Sequence, residues 1–364
     1  MKDVASAAGV SAATVSNAFS GRTGRLSEAQ RVHILSVASQ LGYHGPNPAG
    51  SALRTGVVGA IGVMFTETLS FAFDDASAVL LLKGIAQACE RADVLMALLP
   101  FPPTVDGEDL AQRHQRDAQV VRRSLVGSFL AYSMPDNHPA VVAAVARGLP
   151  TVIIDAPFSH DVHYVGIRDR ATARNAAEHL LSLGHKKFGV LVDRLAPDSH
   201  RGFVSAARLK DSQEAVPRER LRGYRDALRK AGIDWNSVAV FEAGGLTAPG
   251  FDIAADTLLD SSDVTAILAT KDELALAVLR ACRRRGIAVP EQMSVVGFDD
   301  VPASAEAGLT TVHRDFVEEG RVAAQLLVDN DPAAPPRKVL FPTTFVVRSS
   351  TAPPQGDQER PLSG

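Results

Sequence analysis

From residue 57 to about residue 350 of a 364-residue chain, short β-branched apolar runs alternate with longer stretches of helical period, and this constrains the fold more than any other feature. The runs cover 57–63, 94–99, 126–131 and 151–154, separated by helical stretches such as 76–91 and 138–147. They resume after His160 at 187–192, 238–241, 264–268 and 294–297. Repetition of strand, helix and strand specifies parallel sheets with helices on both faces. One such sheet does not absorb this much chain, so the expectation is an α/β body of two doubly wound lobes. No internal repeat of solenoid length is present.

Residues 1–56 read differently. They carry +3, whereas the rest of the chain carries −6. A small basic head on an acidic body is the asymmetry of a nucleic-acid reader joined to something else. The overall charge of −3 excludes a protein that coats nucleic acid through bulk positive charge, so any polyanion contact is local. Gly42, Gly45, Pro46 and Pro48 stop any helix and mark a boundary. The expected division is a head at 1–45, a connector at 46–56, the body at 57–350 and a polar, Pro-rich tail at 351–364 whose composition marks disorder.

Three helices fit the head. Residues 2–8 place Val4, Ala5 and Ala8 on one face, and Gly9 supplies a positive φ at the end. Ser11 caps 12–19, where Val15, Ala18 and Phe19 form an inward stripe. Ser27 caps a third helix that offers Val32, Leu35, Val37, Ala38 and Leu41 for packing before Gly42. Two short helices joined by Gly9-Val10-Ser11 have the dimensions of a helix-turn-helix, whose second helix enters a major groove. Its outward face presents Ala12, Ala13, Ser16 and Asn17. Asn bonds bidentately to adenine, Ala touches a thymine methyl, and Ser or Thr donates to phosphate. A three-helix bundle with a polar surface satisfies the same spacing, so both readings stand at this level.

The body shows no catalytic signature. It has no phosphate-binding glycine-lysine loop, dinucleotide fingerprint, nucleophile elbow or zinc-protease helix motif, so no enzyme activity and no cofactor are expected. His179 and His185 do not share a helix face, and loop polarity accounts for His160 and His163 as well as a metal does. Cys89 and Cys282 allow neither a disulfide framework nor a thiolate cluster. The N-terminus lacks a continuous apolar segment, and no run approaches the roughly 20 residues of a membrane span, so a cytoplasmic protein without membrane contact is expected. Doubly wound lobes bind ligands in the crevice at the carboxyl ends of their strands. Asp155 ends the run 151–154 there. Asp272 follows 266–271 and opens a helix, where capping is an equal use for it, and Arg220 starts another helix, where a solvated turn is the alternative. Carboxylates with a guanidinium suit a polyhydroxylated ligand.

Several strings add a resemblance. Asp3-Val4-Ala5, Ala8-Gly9-Val10-Ser11, Thr14-Val15-Ser16, Leu41-Gly42-Tyr43, Asn47-Pro48-Ala49 and Leu53-Arg54-Thr55-Gly56 make the head similar to that of the LacI/GalR family of bacterial regulators. In the body, 178–185, 295–300 and 309–312 resemble the regulatory core of that family, itself similar to periplasmic sugar-binding proteins. The resemblance implies a repressor that binds double-stranded operator DNA as a homodimer under control of a small ligand. DNA contacts are implied at Ser11, Ala12, Ala13, Thr14, Ser16, Asn17, Arg25, Tyr43, Ala52 and Leu53. Residues 48–54 would form a hinge, with Leu53 wedged into the minor groove. Effector contacts are implied at Phe73, Asp155, Arg220, Leu246, Asp272 and Phe316. A solute-binding protein would share the lobes but not the basic head, and an α/β enzyme would need motifs that the chain lacks.

The chain also departs from the family pattern. Asn17 stands where Arg is frequent, Gly50 and Ser51 replace Ala and Arg of the hinge, and the turn at 21–25 is one residue longer. Lys271 stands where Asn or Ser is common, Leu246 lies near a position often held by a stacking aromatic, and 70–74 replaces the usual Asn-Pro-Phe-Phe stretch. The operator and the ligand are therefore both expected to differ from those of the founding members.

Overall fold

The computed structural model describes residues 1–19, 26–43, 59–102, 109–245 and 248–355. The chain divides into two units, Met1–Val58 and Gly59–Gly364.

In the first unit, helices Lys2–Ala7, Ala12–Phe19 and Glu28–Gln40 enclose a core of Val4, Ala5, Val15, Ala18, Ile34 and Ala38. The local signals act as expected. Gly9 turns the chain at φ +65°, Ser11 Oγ accepts from Thr14 N at 3.1 Å, and Ser27 with Gln30 closes a reciprocal capping box. The third helix, however, uses a different stripe. Ile34 and Ala38 face inward with Val37 beside them, whereas Val32 and Leu41 are 58% and 51% exposed. A step of two residues rotates about 200° round a helix, so Ile34 and Val32 cannot share a face. The connector at 46–56, including Gly50 and Ser51, and the turn at 21–25 lie outside the described residues.

The second unit holds strands β1 (Ala60–Phe65), β2 (Leu95–Pro100), β3 (Ser128–Tyr132), β4 (Thr151–Ile154), β5 (His163–Gly166), β6 (Phe188–Val192) and β7 (Gly202–Phe203). They are followed by β8 (Ala239–Glu242), β9 (Ala266–Ala269), β10 (Ser294–Val296), β11 (Thr311–His313), β12 (Lys338–Leu340) and β13 (Thr344–Val346). One sheet runs β12-β5-β4-β3-β1-β2 and is wholly parallel. The other runs β10-β9-β6-β8-β7 and is parallel except at its β7 edge. Strands β1, β4, β6 and β9 are buried along their whole length, which is why they read as unbroken apolar runs.

Neither lobe is continuous in sequence. The chain leaves the first lobe after β5, enters the second at helix Asp169–Ser182, and returns at helix Phe316–Val328 and β12. That returning helix packs on helix Ala76–Ala92 with backbones almost touching. A Cβ at Gly84 would stand 1.9 Å from Val317 O, and one at Gly320 would stand 2.3 Å from Leu81 O. Both glycines are therefore demanded by the approach of the helices rather than by backbone conformation. After β13 the chain stays attached to the second lobe. Residues 351 and 352, expected to open a disordered tail, are pinned instead: His185 Nε2 donates to Ala352 O at 2.9 Å, and Ala352 N donates to Ser294 Oγ at 3.0 Å.

Candidate functional site

In the head, the second helix presents Ser11, Ala12 and Ala13 to solvent and leaves Thr14, Ser16 and Asn17 half-buried. Ser11 and Thr14 also share a hydroxyl hydrogen bond at 2.8 Å, so both side chains build the helix start as well as its surface. Tyr43 stands edge-on to Phe19 with ring centroids 5.5 Å apart, and Arg31 Nε donates to Ala18 O at 3.3 Å. These contacts fix the end of the exposed helix against its neighbours. Arg25, Ala52 and Leu53 lie outside the described residues.

In the body, the carboxyl ends of both sheets converge on one cavity of about 120 Å³, several times the 10–15 Å³ that a single water needs. Its walls follow a simple rule, because they are the first polar residues after the apolar runs. Thr66 and Glu67 follow β1, Ser133 follows β3, Asp155 follows β4, Asp193 and Arg194 follow β6, and Thr270 and Lys271 follow β9, whereas Arg314 follows the polar strand β11. Asp75, Ser77, Tyr132, Glu214, Arg220 and Asp299 add further polar groups, and apolar side chains including Val216 and Phe316 fill the rest of the lining. Asp155 and Asp299 both hold positive φ, 64° and 113°, so two of these carboxylates sit on sparsely populated backbone.

Four buried cations organise the wall, and each is bracketed by two carboxylates. Arg194 binds Glu67 at 2.6 Å and Glu214 at 2.8 Å, and donates to Thr66 Oγ1 at 3.1 Å. Arg220 binds Asp169 at 2.8 Å and Asp299 at 3.3 Å, donates to Thr270 O at 2.5 Å, and lies 3.6 Å over the Phe298 ring. Lys271 binds Asp75 at 2.7 Å, with Glu273 at 3.6 Å. Arg314 binds Asp155 at 2.8 Å and also Glu319, while its guanidinium lies 4.3 Å over Phe316. Burial works against the Lys271 ammonium, but Asp75 and Glu273 outweigh it and raise its pKa. For Asp75, burial favours the acid, yet Lys271, Ser77 and the Ala78 amide prevail and lower it. Burial pushes Glu67, Glu214 and Asp299 upward in spite of their arginines.

Glu67 to Arg194 and Asp75 to Lys271 cross from one lobe to the other, as does Asp136 to Arg218 at 2.6 Å outside the cavity, and Arg314 reaches Asp155 and Glu319 from the crossover before helix Phe316–Val328. A backbone bond from Asp136 N to Gln213 O at 2.8 Å joins them. The lobes are clasped by their own charges.

Of the effector positions expected from the sequence, Asp155, Arg220 and Phe316 line this cavity. Phe73 does not, being 62% exposed beside the lining residue Ala72. Asp272 is a correction. It is fully buried behind the wall and neither caps its helix nor lines the cavity. Its carboxylate accepts from Ser304 Oγ at 2.6 Å, Thr311 Oγ1 at 2.6 Å and Val301 N at 3.0 Å. Burial dominates these three donors and pushes its pKa to about 7. Lys271, one residue earlier, is the side chain that faces the cavity. Leu246 lies outside the described residues. The two loop histidines do not form a pair: His160 packs on Phe158 at 4.7 Å, and His163 Nδ1 accepts from Arg337 N at 2.9 Å. Among the described residues no helix is long and apolar enough to cross a membrane.

Comparison with known proteins agrees with this division. A model described as bacterial regulatory proteins, lacI family, matches residues 1–47, and one described as a periplasmic binding protein-like domain matches residues 177–351. The chain is 36% identical to the HTH-type transcriptional regulator Rv3575c of Mycobacterium tuberculosis, covering 95% of this chain and 94% of that protein. It is 34% identical to the HTH-type transcriptional regulator IpsA of Corynebacterium glutamicum, covering 97% of each. A solved LacI-family transcriptional regulator from Corynebacterium glutamicum superposes with a TM-score of 0.74 at 32% identity, covering 96% of this chain and 98% of that one. A complex of the transcriptional regulator CelR with cellobiose superposes with a TM-score of 0.67 at 25% identity, covering 95% and 98%. A helix-turn-helix head, two parallel-sheet lobes and relatives that are regulators rather than enzymes lead to one conclusion: the chain belongs to the lacI family of bacterial transcriptional regulators.

Proposed function

We propose that this regulator is a cytoplasmic repressor that grips a pseudo-palindromic operator as a homodimer and changes its affinity when a small polyhydroxylated ligand occupies the crevice. The observation that carries the reading is the convergence of buried cations and carboxylates from both lobes on one cavity, where the pairs Glu67–Arg194 and Asp75–Lys271 cross between lobes. A ligand whose hydroxyls replace those partners would hold one closure state better than the other, and only such a difference shifts an equilibrium. The CelR complex with cellobiose supports a sugar-like ligand by analogy.

In the head, Ala12, Ala13, Ser16 and Asn17 are proposed to read bases from the major groove. Ser11 and Thr14 serve the phosphates, and Tyr43 sits beside them. Arg25, Ala52 and Leu53 complete the contact set from the turn and the hinge. In the body, Asp155, Arg220 and Phe316 are proposed to meet the ligand, joined by Glu67, Asp75, Asp193, Arg194 and Lys271.

Two linked measurements test the reading. Operator sequences selected from random DNA by the wild type and by Asn17→Ala should differ at one adenine per half-site, at a cost of about 1–3 kcal/mol. Binding to the selected operator should change at least tenfold when a neutral sugar or polyol that stabilises the protein is added. Identical selected sequences reject the assigned base contact, and an unchanged operator affinity with a bound ligand rejects ligand control.

A further inference from the structure

The charges around the cavity do not balance. Arg194, Arg220, Lys271 and Arg314 are 4%, 4%, 8% and 3% exposed, and each already has two carboxylate partners. A ninth carboxylate, Asp193, lines the same cavity and takes a hydrogen bond from the Thr270 hydroxyl at 3.3 Å. Six carboxylates and four cations line the cavity, three more carboxylates stand behind those cations, and each cation is neutralised by acids before any ligand arrives. Arg220 spends a further donor on Thr270 O, and Arg194 one on Thr66 Oγ1.

From this arrangement, and resting on the polyol reading above, we infer that the crevice selects by charge: it admits neutral polyhydroxylated ligands and rejects their phosphorylated or carboxylated forms. The physical reason has two parts. An anion entering the cavity gives up its water, and it recovers that loss only where donors are free to replace the water. Here each guanidinium or ammonium already faces two carboxylates, so an incoming anion must share the cation with them and sit beside their charge. A hydroxyl faces neither difficulty. It donates to a carboxylate and accepts from the same guanidinium without adding charge. Burial already raises Glu67, Glu214, Asp169 and Asp299 toward the acid form, so the wall relieves its own excess by holding protons, and a further negative charge works against that relief.

The test uses the full-length protein and matched ligand series. Each of a panel of neutral mono- and disaccharides and linear and cyclic polyols is titrated calorimetrically beside its phosphate ester and its acid. The acid replaces a hydroxymethyl group by a carboxylate at nearly constant size, which separates charge from bulk. For every neutral member that binds, the phosphate and the acid are expected to bind at least a hundredfold more weakly, about 2.8 kcal/mol at 1.4 kcal/mol per tenfold. In the double variant Glu67→Gln with Glu214→Gln that gap should narrow at least tenfold, provided the variant keeps the wild-type circular dichroism spectrum. An acid or phosphate that binds within threefold of its neutral parent overturns the charge selection and leaves the polyol reading intact. A gap unchanged in the folded double variant also overturns it, because bulk would then explain the rejection. Silence from every neutral member overturns the polyol reading and this inference together.

Discussion

Two populations of charge stand in and around the crevice, alike in sequence and different in what surrounds them. In one, the partners stand on opposite lobes: Glu67, Asp75 and Asp136 on the first face Arg194, Lys271 and Arg218 on the second. In the other, the partners sit within one lobe or on the short crossover that joins the two. Arg314 holds Asp155 and Glu319, all three side chains being at most 3% exposed, and Asp272 is enclosed by Ser304, Thr311 and the Val301 amide. The difference teaches that burial alone does not set the worth of an ion pair. A charge that can regain water when the lobes part acts on closure, and one that cannot acts on folding.

The largest effect should come from the second population. Arg314→Met strands Asp155 and Glu319 without a cation, and Glu319, which does not line the cavity, stays buried when the lobes part. Breaking a buried pair in this way costs roughly 3–5 kcal/mol, and two abandoned carboxylates place the loss at the upper end. Urea unfolding at neutral pH measures it. A loss below about 1 kcal/mol would show that the site relaxes or takes up protons freely, and the distinction between the two populations would collapse.

Asp272 sharpens the same contrast through pH. Burial holds its pKa at about 7 in the folded protein, against an ordinary value of 3.8. Between those values the folded chain binds more protons than the unfolded chain, so this group makes stability fall as pH rises through the window. From pH 5 to pH 7 the loss is about 2 kcal/mol, the slope of 1.36 kcal/mol per pH unit halving as the group reaches its midpoint. Asp272→Asn should remove that slope, since its amide can donate to Thr311 while its carbonyl keeps the Val301 and Ser304 bonds. Equal slopes in wild type and variant, from urea unfolding at a series of pH values, would mean that the three donors keep Asp272 ionised throughout.

How far these residues were legible from sequence follows from geometry. The long apolar runs announced β1, β3, β4, β6 and β9 because strands buried on both faces leave no polar interruption. Strands β5 and β12 were not announced, being four and three residues long and starting with His163 and Lys338. The return of helix Phe316–Val328 to the first lobe was equally hidden, since Gly84 and Gly320 matter only once the two backbones meet. Within the site, the rule that found Asp155 also points to Glu67, Asp193, Arg194 and Lys271, each just after an apolar run, whereas Arg314 follows the polar strand Thr311–His313. Asp75 and Glu214 give no such signal, because they precede helices. Asp272 was misplaced by one position. Lys271 is still in extended conformation before the helix and faces the cavity, whereas Asp272, the first helical residue, faces back toward Gly297, where an added Cβ would stand 2.1 Å from its carboxylate oxygen.

The smallest change in folding stability should come from a crossing pair, and it is the most informative about function. Lys271→Met removes the cation between Asp75 and Glu273, which would cost several kcal/mol if both carboxylates had to stay buried. They need not, because Asp75 belongs to one lobe and Glu273 to the other. Parting the lobes wets both, so the penalty is capped by the free energy of opening. Unfolding free energy should therefore fall by less than about 2 kcal/mol, well short of the Arg314→Met loss. The missing energy should appear as motion instead. Small-angle scattering of the unliganded variant should show a larger radius of gyration than wild type, and a bound neutral polyol should restore the wild-type value. A full-sized loss of stability with no change in radius would place Lys271 in the second population and leave the crevice without a charge-controlled clasp.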